Sequence, residues 1–286
     1  MNDTRLIDLH SHSYYSDGTF SPEGLVILAK KQGLSALALT DHDTIDGLEL
    51  FLSAGKKHGM ETIAGIEFAA LWEHYHRPEI HILGLGINPS APKLTERMAA
   101  LRRSRDLRNH KMAEKLTAIG LPLSYEEVAK NAGGEIITRA HFANVLLQKG
   151  FVKSRAEAFS RYISPGLPGY IPREILSPAL CIQTIKEAGG VAVLAHPTLY
   201  SCSEEQLEEL CEELLPLGLG GIECLYSTYT PAQTKMIEKL AKKYTLLPSG
   251  GSDFHGENKP DIQLGVGKGN LKIPYAFWEN LKTQTK

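Results

Sequence analysis

His10 and His12 stand at a spacing of two behind a short apolar run, Leu6, Ile7 and Leu9, with Asp17 close by. In an extended segment alternate side chains point the same way, so the two imidazoles can converge on one point. Such a pair on one rigid edge begins a site for zinc, manganese or iron. Alone it is a weak signal, but the chain returns to the same pattern. His42 follows Ala36-Leu37-Ala38-Leu39, Glu67 ends Thr62-Ile63-Ala64-Gly65-Ile66, and His81 lies near the start of Ile80-His81-Ile82-Leu83-Gly84-Leu85. His196 follows Val191-Ala192-Val193-Leu194-Ala195, and Asp253 and His255 follow Thr245-Leu246-Leu247.

The elements that must carry these residues are legible from punctuation. Ser21-Pro22-Glu23 marks a helix start, with Ser as N-cap, Pro in the first turn and an acid at the positive end. That helix is expected to reach Gln32 and stop at Gly33, and a second to run from Gly47 to His58 with Gly59 behind it. Strand, helix, strand, helix, strand at this pace predicts an α/β fold with a parallel sheet. Only about a dozen residues separate Glu67 from the fourth run, marginal for a helical crossover. A hairpin-like return there would bring His81 to the rim where the other strands end. From Asn88 to about Ser177 helical patterns dominate; the β-rich runs then resume, including Gly221-Ile222-Glu223-Cys224-Leu225. Seven strand candidates result. The expected organisation is one α/β barrel-like domain, residues 1–88 and 178–286, interrupted by a helical insertion over 89–177.

In α/β barrels function collects at the C-terminal ends of the strands. Six histidines and three carboxylates arriving there independently are hard to explain as packing, because burying so many ionisable groups without a metal is costly. One catalytic ion takes about three protein groups, so nine fit three divalent ions with a carboxylate bridging two of them. Six positive charges against three carboxylates leave a centre suited to an anion such as a phosphate ester. A water shared between ions loses a proton near neutral pH and becomes the nucleophile. Asp41 and Asp43 flank His42 and are candidates to orient ligand imidazoles.

Composition agrees with an ordinary globular chain: 286 residues, 42% hydrophobic, 22% charged, formal charge -2. No global field draws it to nucleic acid or membrane. The four cysteines, Cys181, Cys202, Cys211 and Cys224, have neither C-x-x-C spacing nor a pairing rhythm, which suits free thiols in a reducing compartment. With no leader pattern and no apolar run near membrane-span length, a cytoplasmic location without membrane contact is expected.

The insertion carries a second kind of signal. Leu94, Met98, Leu101, Met112, Leu116 and Ile119 share a face of one long helix from Leu94 to Ile119, and Arg105 falls in the middle of that stripe, where a guanidinium needs a carboxylate or phosphate partner. Arg102, Arg103, Arg108, Lys111 and Lys115 lie off the face, and most of them read as a solvated surface. Thr138 reads as an N-cap that places Arg139 and His141 in a helix's first turn. Free N–H groups, a positive dipole end, an arginine and an imidazole make a phosphate cradle.

D-L-H-S-H, T-D-H-D, G-I-E-F, H-I-L-G, L-A-H-P and S-D-F-H-G, in this order, resemble the PHP (polymerase and histidinol phosphatase) family over nearly the whole chain. The resemblance implies a distorted seven-stranded (β/α)7 barrel, a trinuclear centre holding manganese, zinc or iron, and phosphoesterase activity. By analogy one ion takes His10, His12, Glu67 and Asp253, a second Glu67, His81 and His196, and a third Asp17, His42 and His255. Some relatives have histidine at the Asp17 position, which puts the third site's metal preference in question. Thr138 to Phe142, Phe159-Ser160-Arg161-Tyr162 and Gly169-Tyr170-Ile171-Pro172 resemble the insertion of family members acting on 3′,5′-nucleoside bisphosphates, a subgroup that includes enzymes trimming RNA from its 5′ end. A lysine common before the Pro-x-Tyr-x-Pro stretch is Leu167 here. The expected substrate is a phosphorylated small molecule, a nucleotide with phosphates on both sides of the ribose, which would lose its 3′-phosphate. Alternatives are a 5′–3′ exonuclease on short RNA or DNA, a histidinol-phosphate phosphatase, and a non-catalytic metal-stabilised module.

Overall fold

The computed structural model describes residues 4–132 and 137–285. Its seven strands form one sheet in chain order: β1 (Ile7–Asp8), β2 (Ala36–Leu39), β3 (Glu61–Leu71), β4 (Glu79–Leu85), β5 (Val191–Leu194), β6 (Leu219–Tyr226) and β7 (Leu247–Gly251). Neighbours pair in parallel except around β4, which runs antiparallel to both β3 and β5. Beyond the end of β1 the backbone closes on β7 and the segment after it. The Leu9 N–H donates to the Gly250 carbonyl at 3.2 Å, His12 N–H to Phe254 at 2.9 Å, and Asp253 N–H to His10 at 2.9 Å. The result is a nearly closed seven-stranded α/β barrel.

The hairpin return at β4 is present, in a register running from Gly65↔Leu85 to Leu71↔Glu79. Antiparallel partners on β4 keep β3 extended past Ile66, so Glu67 lies within a strand and not at its end as the sequence suggested. Alternation then assigns the faces. Ile63 on β3 and Leu83 on β4 belong to the central core, even spacing from them puts Glu67 and His81 on the same inner side, and His42, beyond the end of β2, bridges to Glu67.

Helix α1 (Pro22–Lys31) follows β1 and helix α2 (Leu48–His58) follows β2, as expected. The Ser21 hydroxyl accepts the Gly24 N–H at 3.0 Å, and Gly59 ends α2 at φ 62, where only a residue without Cβ is unstrained. The remaining helices are α3 (Pro92–Ala118), α4 (Tyr125–Ala132), α5 (Arg139–Gln148), α6 (Arg155–Ala158), α7 (Pro178–Glu187), α8 (Glu204–Leu214), α9 (Pro231–Lys243) and α10 (Ala276–Lys282).

The chain divides into two compact units, one of residues up to Met98 with those from Ile175 onward, the other Ala99–Glu174. In the first, strand side chains meet Leu271, Ile273, Trp278 and Leu281 in one core that the C-terminal helix completes. The second is helical and has its own core, including Met112, Leu116, Val128, Phe142, Leu146 and Ile163. On α3 the expected stripe is buried at Leu94, Leu101, Met112 and Leu116. Ile119 departs from it: it lies past the helix end and is 41% exposed.

Candidate metal centre

Nine side chains from the first unit meet at one rim of the barrel. Their hub is Glu67, fully buried on β3. Its Oε2 lies 3.1 Å from His10 Nε2, 3.2 Å from His12 Nε2 and 3.2 Å from His42 Nδ1. Its Oε1 lies 2.8 Å from His81 Nδ1 and 2.9 Å from His196 Nε2. Asp253 Oδ1 stands 3.2 Å from His12 Nε2 and 3.3 Å from His255 Nδ1. Asp17, the most exposed of the nine, reaches His255 Nε2 at 3.1 Å and His42 Nε2 at 3.9 Å. Local backbone makes this approach possible. A Cβ on Gly251 would fall 2.1 Å from His10 Cβ, so β7 must carry glycine where β1 crosses it. His196 and Asp253 hold left-handed conformations, φ 26 and φ 56, and such strain in non-glycine residues clusters at functional sites.

Donor atoms within 4.8 Å of one another form three groups: His10, His12, Glu67 and Asp253; His12, Asp17, His42 and His255; and His42, Glu67 and His81. The third differs from the partition implied by the resemblance, which joins His196 to Glu67 and His81. His42 enters two groups because its Nδ1 faces Glu67 while its Nε2 faces Asp17.

The donor set fits divalent metal. His10 Nε2, His12 Nε2 and Glu67 Oε2 are buried and have no hydrogen-bond partner, although both imidazole nitrogens stand within 3.2 Å of that carboxylate oxygen. Orphaned polar atoms aimed at a shared point are costly unless a cation completes them. Burial opposes the Glu67 carboxylate, yet His42, His10 and His81 hold its pKa well below the usual value. Against desolvation, Asp253 and Glu67 push His12 up to about 9, and Glu67 and Glu79 push His81 up to about 10. Desolvation, with His12 and His81 nearby, outweighs Glu67 and brings His42 down to about 3.

Around the nine lie groups the sequence reading passed over. Glu223 on β6 is fully buried, with Oε1 3.2 Å from His10 Nδ1 and Oε2 accepting the His196 N–H at 2.8 Å. Asp8 accepts from the N–H groups of His10 at 3.1 Å, Ser252 at 2.9 Å and Gly265 at 2.7 Å, tying β1 to the segment after β7. Tyr226 and Lys259 each donate to Asp253 Oδ2 at 2.6 Å. An acid inside an otherwise apolar strand was the available signal for Glu223. The acids that flank His42 are both engaged. Asp41 takes hydrogen bonds from Ser13 and Ser16, each at 2.7 Å, and Ser16 Oγ lies 3.5 Å from His12 Nδ1. Asp43 accepts the Ala69 N–H at 3.2 Å.

The second unit places Thr138, Arg139 and His141 at the start of α5, whose first turn holds no acid. His141 Nδ1 accepts the Thr138 N–H at 3.1 Å, so the imidazole closes the helix cap. The Arg139 guanidinium donates to the Ile163 carbonyl at 3.3 Å and lies over the rings of Tyr170 and Phe159, 5.6 and 5.8 Å from their centroids. Arg105 is half-buried on α3. Arg108 is not the solvated side chain expected. It is partly buried, its Nε has no partner, and desolvation with Arg105, Arg139 and Arg173 nearby lowers its pKa to about 10.

Comparison with known proteins agrees with this geometry. The family model described as PHP domain matches residues 8–151. The chain is 37% identical to a 5′-3′ exoribonuclease of Haemophilus influenzae over 88% of its own length and 90% of that protein's. The chain belongs to the PHP family. It is 32% identical to a 3′,5′-nucleoside bisphosphate phosphatase of Chromobacterium violaceum, over 97% of both chains. Its fold is similar to a candidate metal-dependent phosphoesterase from Bifidobacterium adolescentis, with TM-score 0.80 and 30% identity over 99% of this chain and 97% of the other. The protein is a metal-dependent phosphoesterase of the PHP family, a hydrolase. Among the described residues no helix is long and apolar enough to cross a membrane, and all four cysteines are free.

Proposed function

We propose that the protein hydrolyses the 3′-phosphate of 3′,5′-nucleoside bisphosphates, leaving nucleoside 5′-monophosphates, with His10, His12, Asp17, His42, Glu67, His81, His196, Asp253 and His255 as ligands to three divalent ions. Manganese, zinc and iron all suit an imidazole-rich set with carboxylates. When bound, such ions activate water and neutralise charge on the phosphoryl oxygens. The chain's own residues do the rest. Glu67 presents one oxygen to each half of the cluster, and Tyr226 with Lys259 holds the outer oxygen of Asp253 so that Oδ1 faces the imidazoles. Arg139 carries the choice of a substrate with a further phosphate. A guanidinium lodged against two aromatic rings at an acid-free helix start is pre-organised for a phosphate. Thr138, His141 and Arg105 support the same role.

Arg139→Ala is expected to lower kcat/KM on adenosine 3′,5′-bisphosphate by roughly 10–100-fold, the equivalent of one charge-assisted hydrogen-bonded contact. Activity on a generic monoester and metal content should stay unchanged. Equal losses on both substrates would remove Arg139 from phosphate recognition. A second reading, 5′–3′ removal of nucleotides from short RNA, is favoured by the name of the Haemophilus relative. An RNA 5′ end offers the same pair of groups, a 5′-phosphate and a 3′-phosphoester. Product analysis on a labelled 5′-phosphorylated dinucleotide beside the bisphosphate separates the two.

A further inference from the structure

Glu223 is not among the nine converging donors, yet it is fully buried beside them and bonds two of them at once. A carboxylate can only accept, so its contact at 3.2 Å requires the proton of the His10 ring to sit on Nδ1. In the neutral ring, the form that can bind a metal, the lone pair is then on Nε2, the nitrogen that stands 3.1 Å from Glu67 Oε2 and 3.6 Å from Asp253 Oδ1 and has no hydrogen-bond partner of its own. The other oxygen of Glu223 accepts the His196 N–H at 2.8 Å, anchoring a backbone whose φ of 26 is unfavourable for any side-chain-bearing residue. In that conformation His196 Nε2 comes 2.9 Å from Glu67 Oε1. One buried carboxylate therefore sets an imidazole against each oxygen of the hub. The strand is shaped for this: the pairing of β6 with β7 shifts register between Glu223 and Leu225, and such irregularities re-aim a side chain.

We propose that Glu223 is a positioning residue of the metal centre, fixing the His10 tautomer and the His196 backbone so that both rings offer Nε2 to ions shared with Glu67. This rests on the reading of the nine residues as metal ligands. Outer carboxylates that hold ligand imidazoles typically change metal affinity by about 10–100-fold when removed.

The test is Glu223→Gln, which keeps the shape, with Glu223→Ala as a second variant. Mn2+ alone is titrated into metal-free protein by calorimetry, and the ring nitrogens of 15N-histidine-labelled protein are read by NMR. The expected result for Glu223→Gln is Mn2+ binding weakened by about 10–100-fold in at least one site, while thermal unfolding of the metal-free protein matches wild type. In wild type a second buried imidazole, besides that of His255 whose Nδ1 faces the Asp253 carbonyl at 2.9 Å, should carry its proton on Nδ1, and His10→Gln should remove that signal. Wild-type Mn2+ affinity in Glu223→Gln, or a His10 proton on Nε2, would overturn the inference. A drop in metal-free stability with unchanged affinity would also overturn it, making Glu223 merely structural. Wild-type protein that takes up no Mn2+ would instead sink the ligand reading underneath.

Discussion

Five imidazole nitrogens lie within 3.2 Å of the two oxygens of Glu67, which makes this side chain the electrostatic centre of the rim. A fully buried carboxylate is normally driven toward its neutral form; here desolvation is overcome by His42, His10 and His81. The same carboxylate belongs to two of the three donor groups, so under the three-ion reading proposed above its charge would serve more than one ion. Glu67→Gln keeps the volume and removes that charge. Bound metal should fall by about two ions of three, read by elemental analysis, and phosphoesterase activity by more than about 100-fold, the upper end for loss of a group that merely supports a ligand. Full metal occupancy in a folded Glu67→Gln protein would show that the imidazoles and Asp253 suffice. Arg108 teaches a related point about charge. Its helical phase put it on a wet face, yet three other arginines and the cost of desolvation bear on it, an environment that spacing along one helix does not reveal.

The C-terminal helix illustrates how an element is held beneath the site. α10 buries Trp278 and Leu281 in the core shared by the strands, and Glu61 at the start of β3 fastens it there. Glu61 accepts from the Tyr275 hydroxyl and, at 2.9 Å, from Trp278 Nε1, with Lys282 3.6 Å away. Desolvation opposes the charge, but these partners hold the carboxyl below its usual 4.5. A depressed folded-state pKa contributes stability above the unfolded value and loses it as pH falls through the folded one. Glu61→Gln should therefore cost about 1–2 kcal/mol near pH 7, trimmed from the range for charged acceptors because the carboxylate is partly exposed. The gap from wild type in denaturant unfolding should narrow as pH drops below about 4. An unchanged gap at low pH would assign the contact to shape alone. Much at this scale was legible in the sequence: Ser21, Pro22 and Gly59 marked helix ends, and the short gap after Glu67, marginal for a helical crossover, pointed to the β3–β4 hairpin. What escaped had tertiary causes. Glu67 reads as a strand end until antiparallel partners on β4 extend β3, and Glu223 reads as an odd acid in an apolar strand until β1 and β5 bring His10 and His196 to it.

The two ends of the sequence meet at the rim. His10 and His12 lie just beyond the first strand, Asp253 and His255 beyond the last, and backbone bonds from Leu9, His12 and Asp253 close the barrel between them. As the proposed ligands, donors spread this widely would link metal binding to the folding of the whole barrel, because no preformed site exists in the unfolded chain. A metal present at a hundredfold excess over its dissociation constant stabilises the folded state by about 2.7 kcal/mol per site. For a chain of this size each kcal/mol moves Tm by about 2–4 °C, so a single such site accounts for roughly 5–10 °C. Chelation is expected to lower Tm by at least that amount and to abolish phosphoesterase activity, with both restored by Mn2+. Mg2+ and Ca2+ should restore little, since six imidazoles disfavour cations that prefer all-oxygen coordination. An identical Tm with and without chelator, in protein shown to contain metal beforehand, would mean that Glu67, Asp253 and the surrounding histidines hold the closed barrel together by their own ion pairs.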